Sequence, residues 1–184
     1  MNIKSFFNDS IKLITPKTHK DNRGYFFELY NKIYYNKAYF FKDNFVQDNI
    51  SFSKKKYTIR GMHLQTAPFE QSKLVSVIKG SIRDYFIDLR VKSKTFGKFG
   101  FVNMNSKKKQ LLYIRKGFAH GFITLEENTT VLYKVSNYYS PKNELTLNYL
   151  DKSININWNL KKNKPFLSKK DLNGKSLDFI KKYL

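Results

Sequence analysis

Three protonatable side chains lie in segments of this sequence that alternate like β-strands: His63 in TIRGMHLQ, Lys73 in KLVSVIKG and Tyr133 in TVLYKVSNYY. Alternate residues of a strand share a face, so each of the three has apolar or aromatic neighbours on its own face. Removal from water in such surroundings disfavours the charged form and so shifts the pKa, which for Lys73 would be toward neutrality, as acid–base chemistry often requires. His63 could therefore be a base, a metal ligand or an ordinary packed side chain.

Each of these residues also has a purely structural explanation. A lone histidine in a strand is more often a packed or surface residue, and Lys73 begins its segment and could point to water. Half-buried tyrosines such as Tyr133 are common in strands. Asp171 is a fourth candidate, but Ser168-x-x-Asp171 also fits a helix capping box. Composition and spacing alone therefore establish no more than an all-β domain.

The histidines argue against a metal site. The chain has three, His19, His63 and His120, and none belongs to an H-x-H pair. A metal site in a β-barrel usually draws two or three histidines that are close in sequence, so we expect no metal and no cofactor, although distant histidines could still meet in space. Neither a phosphate-binding glycine loop nor a dinucleotide fingerprint is present, and H-E-x-x-H and G-x-S-x-G are also missing from the sequence.

The charge of the chain has two explanations. Lysine and arginine number 35 against 14 aspartates and glutamates, which gives a formal net charge of +21 at pH 7. Such an excess suits a protein that binds nucleic acid or an anionic surface, but an AT-rich genome imposes a similar lysine-rich composition. The basic residues form short scattered clusters rather than a basic helix or tail. We therefore expect no nucleic-acid partner, and a charge that steers an anionic small substrate to the protein.

The length of 184 residues predicts a single domain, 1–184, and 17 Phe and 13 Tyr supply a proper core. No apolar stretch approaches the roughly 20 residues that span a bilayer, and the N-terminus has no signal-peptide pattern. Without cysteines there is neither a disulfide framework nor thiolate chemistry. We expect a cytoplasmic protein without a membrane partner.

Short strands separated by turn signals dominate the sequence. The predicted strand segments are 45–53, 58–65, 73–90 with a hinge at Lys79-Gly80, 96–104, 110–114, 121–125 and 130–139. Turn signals every 8 to 12 residues are typical of a sandwich, barrel or jelly roll. The C-terminal SLDFIKKYL differs, because Ser176 can cap a helix whose apolar residues recur at a spacing of three to four.

Nine sequence motifs together indicate a protein family, which composition and spacing alone do not. They are NRGYFFELYN, FVQDNISFSKK, IRGMHLQ, QSKLVSVIKGSIRDYFIDLR, TFGKF, GFAHGFITL, YKVSNYYSP, ININWNL and LSKKD. In order and approximate spacing they resemble the dTDP-4-dehydrorhamnose 3,5-epimerase family over about residues 20 to 175. The resemblance implies an all-β, cupin-type jelly roll (a double-stranded β-helix) with a short C-terminal helical segment. It also implies a homodimer that exchanges N-terminal strands, and no metal.

The resemblance gives four residues a chemical role. The family's substrate is a nucleotide-linked 4-keto-6-deoxy sugar, whose ketone acidifies the protons on both neighbouring carbons. His63 would be the base, since imidazole titrates near neutral pH, and Asp171 would orient it and favour its protonated form. Lys73 would lie against the developing enolate oxygen. Tyr133 would be the acid that returns a proton from the opposite face.

Substrate-binding positions follow from the same resemblance. Arg60 and His120 match positions at the pyrophosphate, and Tyr139 matches one that lines the sugar pocket. The positions around the nucleotide are Arg23, Phe26, Glu28, Gln47 and Asn49. Strict alternation puts Arg60 and His63 on opposite faces, so the strand twists or begins between them, or Arg60 lies outside the site.

The predicted enzyme is an isomerase that inverts C3, C5 or both of dTDP-4-keto-6-deoxyglucose through an enolate, giving a dTDP-4-keto-rhamnose. The same chemistry on a GDP-linked 4-keto-6-deoxyheptose, for capsule or surface polysaccharide, is the nearest competing function. Departures from the family pattern at Leu64, Ser72 and Arg115-Lys116 leave the nucleotide and the sugar length open. Two more distant functions stay open as well: a cupin sugar 3,4-ketoisomerase, and a non-catalytic basic β-domain that binds nucleic acid or anionic glycan.

Overall fold

The computed structural model describes residues 2–39 and 43–184. The strands in these ranges are β1 (Asn2–Phe6), β2 (Ile11–Thr15), β3 (His19–Asp21), β4 (Gly24–Phe26), β5 (Gln47–Ser53), β6 (Ile59–Gln65), β7 (Lys73–Lys79), β8 (Ser81–Asp88), β9 (Phe99–Asn105), β10 (Leu111–Ile114), β11 (Phe118–Thr124), β12 (Thr129–Val135) and β13 (Glu144–Thr146). The α-helices are α1 (Lys32–Tyr39), α2 (Lys169–Leu172) and α3 (Leu177–Ile180).

Two antiparallel sheets pack face to face. One has six strands in the order β1-β2-β10-β7-β12-β5, and the other has five in the order β13-β6-β11-β8-β9. The core between them draws Val75 and Val131 from the first sheet, and Phe86, Phe118 and Phe122 from the second. The prediction of an all-β jelly roll is confirmed, and the strands predicted from residue 45 to residue 135 are all present with ends shifted by a few residues.

A second apolar cluster covers the outer face of the five-stranded sheet. The C-terminal part of the chain supplies Trp158, Leu177 and Ile180, which pack on side chains of β6, β8 and β11. The Trp158 ring lies 4.5 Å from the ring of Tyr85, centroid to centroid. Because both of its faces are covered in this way, every residue of the central strand β11 is buried.

The predicted C-terminal helix forms as α3 and begins after Ser176, whose hydroxyl accepts a hydrogen bond from the Phe179 N–H at 3.3 Å. A 3-10 turn, Lys181–Tyr183, follows it. The segment before α3 bridges back to the ends of β6 and β13, with Phe166 beside Thr58 and Lys175 beside Leu147, and the short helix α2 lies between these two bridges.

A bulge in β6 explains how the side chains of Arg60 and His63 come to lie on the same side of the strand. Arg60 pairs with Phe122 and His63 pairs with His120, so two residues of β6 stand opposite one residue of β11. Gly61 occupies the bulge with φ +125°, and a Cβ there would lie 2.5 Å from the backbone of β11. Alternation is therefore interrupted between Arg60 and His63, and both side chains reach the same cavity.

Candidate active site

A cavity of about 540 Å³ opens between the two sheets, a size typical of small-molecule sites. Strands of both sheets, the segment after β12 and helix α2 form its wall. Nine of the twelve predicted site residues line it: Gln47, Asn49, Arg60, His63, Lys73, His120, Tyr133, Tyr139 and Asp171. Residues that are up to 124 positions apart in the chain therefore meet at one site.

His63 is held by a carboxylate. Its Nε2 lies 2.6 Å from Oδ1 of Asp171, and the two side chains are 26% and 5% exposed. The bond fixes the imidazole and occupies one ring nitrogen, which leaves the other nitrogen to exchange a proton with a ligand. The pair has the geometry of a base and the group that orients it.

Asp171 both belongs to a helix cap and pairs with the histidine. The Ser168 hydroxyl accepts a hydrogen bond from the Asp171 N–H at 3.1 Å and donates one to Asp171 Oδ2 at 2.8 Å. One carboxylate oxygen thus serves the cap while the other holds His63. Burial raises the pKa of Asp171, but the hydrogen bonds from His63 and Ser168 outweigh burial and keep that pKa below its usual value.

Lys73 is a buried cation at the start of β7. Its residue is 7% exposed, and burial lowers the pKa of its ammonium to about 8. The negative charges of Glu144 and Asp84 oppose this decrease. Lys73 therefore carries most of its positive charge at neutral pH, inside a cavity where a charge acts more strongly than it does in water.

Tyr133 lies on the same sheet as Lys73. In the β7–β12 ladder Tyr133 pairs with Val75 and Lys73 pairs with Val135, so the two are diagonal neighbours on one face, with their β-carbons about 7 Å apart. Burial raises the pKa of Tyr133, Arg60 lowers it and Glu144 adds to the increase. The phenol is thus kept protonated and can donate a proton.

His120 forms a second histidine–carboxylate pair that the sequence analysis missed. Its Nε2 lies 2.9 and 3.0 Å from the two oxygens of Asp84, whose side chain is fully buried on β8. Burial raises the pKa of Asp84, and positive charge on His120 and Lys73 opposes that increase. Asp84 holds His120 toward the cavity much as Asp171 holds His63.

Three further polar side chains line the cavity. Arg60 donates to Ser53 Oγ at 3.1 Å and to the Phe52 carbonyl at 2.8 Å. Gln47 donates to Asn49 Oδ1 at 2.8 Å along β5. These contacts fix a guanidinium and two amides in the cavity wall, a set that suits an anionic, hydrogen-bonding ligand.

The cavity mouth carries two further residues that the sequence analysis did not single out. Glu144, at the start of β13, accepts a hydrogen bond from the Tyr139 hydroxyl at 2.9 Å. Lys170 donates to both oxygens of the same carboxylate, at 2.9 and 3.1 Å. The hydrogen bond from Tyr139 to Glu144 raises the pKa of the Tyr139 hydroxyl.

Three predicted binding residues lie outside this cavity. Arg23 and Phe26 belong to the separate β3–β4 hairpin, where Arg23 pairs with Asp21 at 2.6 Å and Phe26 is 67% exposed. Glu28 follows the hairpin and accepts a hydrogen bond from Asn31. Within one chain these three residues therefore do not line the cavity, since they belong to or follow an exposed hairpin. Their role in binding the substrate stays a prediction.

Two negative findings apply to residues 2–39 and 43–184 only. No three His, Asp or Glu side chains in these ranges are grouped so that they could hold a metal ion. No helix in the same ranges is long and apolar enough to cross a bilayer. That the site needs no metal or cofactor stays a prediction.

Comparisons with known proteins agree on one family. A family model described as dTDP-4-dehydrorhamnose 3,5-epimerase matches residues 8–178. Proteins of that name from Shigella flexneri and Salmonella typhimurium are 40% and 42% identical to this chain; they align over 95% and 91% of it, and over 94% and 91% of their own lengths.

Solved structures show the same likeness. A dTDP-6-deoxy-D-glucose-3,5-epimerase from Legionella pneumophila, in complex with dTDP-4-keto-L-rhamnose, is 39% identical and superposes with a TM-score of 0.91 over 97% of this chain and 94% of its own. An epimerase from Mycobacterium tuberculosis has a TM-score of 0.92 at 31% identity over 99% of this chain and 91% of its own.

Proposed function

This chain belongs to the dTDP-4-dehydrorhamnose 3,5-epimerase family, and from that membership we propose that it inverts both C3 and C5 of dTDP-4-keto-6-deoxyglucose. One structural observation carries the proposal. His63 enters the cavity from the five-stranded sheet, while Tyr133 and Lys73 enter it from the six-stranded sheet. A sugar ring bound between the sheets would have a base on one face and an acid on the other, as inversion of a carbon requires.

The reaction proceeds by removal and return of a proton. The free nitrogen of His63 takes the proton from a carbon next to the ketone, and the electron pair of the C–H bond moves onto the ketone oxygen to form an enolate. The Lys73 ammonium stabilises that oxygen, because a fixed charge in a cavity needs little reorganisation as the negative charge develops. Tyr133 then donates its proton to the same carbon from the other face, and the ketone re-forms.

Asp171 supports the base throughout. When His63 gains a proton it becomes a cation, and the neighbouring carboxylate at 2.6 Å stabilises that charge. The same bond keeps the imidazole from rotating away from the sugar. Asp171 is thus an orienting group that never touches the reacting carbon.

The nucleotide end of the substrate is assigned by charge. Arg60 and His120 both line the cavity, and a diphosphate would accept hydrogen bonds from both side chains. Gln47 and Asn49 would hydrogen-bond to groups next to it. The relatives and the ligand of the Legionella structure support dTDP rather than the GDP-linked heptose.

Deuterium incorporation tests the proposal. The enzyme would be incubated in D2O with dTDP-4-keto-6-deoxyglucose and, in a separate reaction, with a GDP-linked 4-keto-6-deoxyheptose, and deuterium at C3 and C5 would be followed by NMR and mass spectrometry. We expect exchange at both carbons of the dTDP sugar, and none with the variant His63→Asn. Exchange at only one carbon would reduce the assignment to a single-centre epimerase, and no exchange with the dTDP sugar would refute it.

We also propose that the enzyme works as a homodimer whose β3–β4 hairpins complete the partner's cavity. Tyr25 and Phe26 on the hairpin, and Ile50 and Phe52 on the edge strand β5, are 54 to 75% exposed in one chain. Ile50 and Phe52 also line the cavity rim, so a hairpin that packed on β5 would bury both apolar sets and reach the site.

Mixing two inactive variants tests this arrangement. One variant carries His63→Asn with an intact hairpin, and the other carries Arg23→Ala and Phe26→Ala with an intact cavity. In a mixed dimer one site combines the intact cavity with the intact hairpin, so activity should return after the subunits exchange. If the hairpin serves its own chain, or if light scattering finds a monomer, mixing will restore nothing and the arrangement is refuted.

A further inference from the structure

We propose that Glu144 is a positioning residue for this reaction, because its carboxylate joins the wall that carries Tyr139 to the helix that carries Asp171. The inference rests on the proposed epimerase function. It assigns a role to a residue that neither binds the reacting atoms nor belongs to the four residues of the chemistry.

Glu144 makes its contacts across three separate parts of the chain. Tyr139, from the segment after β12, donates its hydroxyl to Glu144 Oε2 at 2.9 Å. Lys170, from α2, donates its ammonium to both oxygens at 2.9 and 3.1 Å. Glu144 itself is only 13% exposed, whereas Lys170 is 48% exposed, so the carboxylate lies on the inner side of this pair.

Helix α2 depends on such contacts for its position. It has four residues, Lys169–Leu172, which is far too short for a helix to be stable on its own. Its orientation must come from side chains that bind it to the sheets. Two consecutive residues provide these bonds: Lys170 binds Glu144, and Asp171 binds His63 at 2.6 Å. A shift of the first contact would therefore move the carboxylate that holds the catalytic base.

The strand that carries Glu144 is itself held in place by its neighbours. Glu144 pairs with Gln65, and Thr146 pairs directly with His63, so β13 runs beside the strand of the base. Gln65 is buried and accepts a hydrogen bond from the Ser140 N–H at 2.7 Å. The backbone on both sides of Glu144 is thus fixed, as a residue that positions others requires.

The charge of Glu144 acts in the same direction as its geometry. It opposes the decrease that burial causes in the pKa of Lys73. It also adds to the increase in the pKa of Tyr133. Both effects favour the protonated states that the proposed reaction uses, an ammonium beside the enolate and a phenol that can donate.

The test compares Glu144→Gln with a matched surface pair. Glu144→Gln removes the charge and keeps the shape, and Lys170→Met removes the partner on α2. Glu70→Gln is the control, because Glu70 pairs with Lys116 at 3.1 Å outside the cavity. Each variant would be assayed by deuterium incorporation at C3 and C5, with kcat and KM measured from pH 6 to pH 10 and the fold checked by thermal unfolding.

We expect Glu144→Gln to lower kcat by roughly 10- to 100-fold, since a misplacement of about 1 Å can cost about 100-fold in rate. The alkaline limb of its pH profile should move to lower pH, because Lys73 loses its proton more readily without the carboxylate. Lys170→Met should lower kcat without moving that limb to lower pH, and Glu70→Gln should match the wild type.

Two results would overturn the role of Glu144: a wild-type kcat in Glu144→Gln, or a reduced kcat with an alkaline limb that does not move. The second result would mean that the residue only supports the fold. Failure of the proposed function looks different, because the wild-type enzyme itself would then incorporate no deuterium.

Discussion

Replacing Lys73 by methionine should stabilise the protein while it abolishes the reaction. Lys73 is 7% exposed, and burial lowers the pKa of its ammonium from 10.5 to about 8. Methionine keeps most of the length and the apolar stem of the side chain but carries no charge. The substitution therefore removes the buried charge without opening a large cavity.

The magnitude follows from the two pKa values. A decrease from 10.5 to about 8 corresponds to about 3 kcal/mol of unfavourable burial, since each pKa unit is worth about 1.4 kcal/mol. At pH 7 the lysine is protonated in both the folded and the unfolded state, so this cost is fully present. Lys73→Met should thus gain up to about 3 kcal/mol in the free energy of unfolding at pH 7, or about 6–12 °C in Tm for a chain of this size.

The sign of the pH dependence makes the prediction specific. Between pH 8 and pH 10.5 the folded protein has released the Lys73 proton while the unfolded chain still holds it, so wild-type stability rises with pH across this window. Lys73→Met lacks that gain. The difference in stability between variant and wild type should therefore be greatest below pH 8 and shrink toward pH 10.5.

Denaturant unfolding at several pH values and one fixed protein concentration would measure the difference. Lys79→Met, at the exposed end of the same strand, is the matched control, and its difference in stability from the wild type should not shrink between pH 8 and pH 10.5. The reasoning is refuted if Lys73→Met is less stable than the wild type at pH 7, or if the gap stays constant with pH. Deuterium incorporation should be lost in Lys73→Met although the variant is folded.

Three other substitutions probe the site. Asp171→Asn should lower kcat/KM roughly 10- to 100-fold, because a hydrogen bond to a charged group contributes about 1.5–3 kcal/mol and His63 loses its orienting charge; steady-state kinetics would check this, and an unchanged value would contradict it. Tyr133→Phe should still bind dTDP with wild-type affinity by calorimetry but show no inversion by NMR; inversion at the wild-type rate would exclude Tyr133 as the acid. Asp84→Asn should raise KM more than it lowers kcat, since in the proposed arrangement His120 would contact the diphosphate and not the reacting carbons; a loss confined to kcat would argue otherwise.

The strand pattern from residue 45 onward was predictable because short apolar and aromatic runs there are separated by turn signals, as strands buried in two packed sheets require. The part before residue 45 was not predicted, although it holds β1 to β4 and α1. β3 and β4 form an exposed hairpin, so no buried face marks them in the sequence. Helix α1 is similar: exposed Ile33 and Tyr34 precede buried Tyr35, so its apolar side chains do not follow a single buried face.

Of two acidic residues that the sequence analysis did not identify in the site, one could have been predicted from the strand pattern and the other could not. Asp84 alternates with Ile82 and Phe86, which are fully buried on the same strand, so the rule that singled out Lys73 would also have found it. Glu144 begins a strand of only three residues, too short to show a face. Arg60 could not be placed because alternation does not reveal a bulge.

The basic side chains of the cavity differ in whether another group of the protein binds them directly. His63 has Asp171, His120 has Asp84, Lys170 has Glu144, and the guanidinium of Arg60 donates to a carbonyl and a hydroxyl. Among the residues that the structure describes, the Lys73 ammonium makes no hydrogen bond and no ion pair, although the charges of Glu144 and Asp84 act on it. Burying a charge that has no direct hydrogen-bonding partner is costly, and a ligand of opposite charge next to it would lower that cost. The enolate oxygen is the group that would do so, and its formation would raise the pKa of Lys73 and recover part of the energy that folding lost.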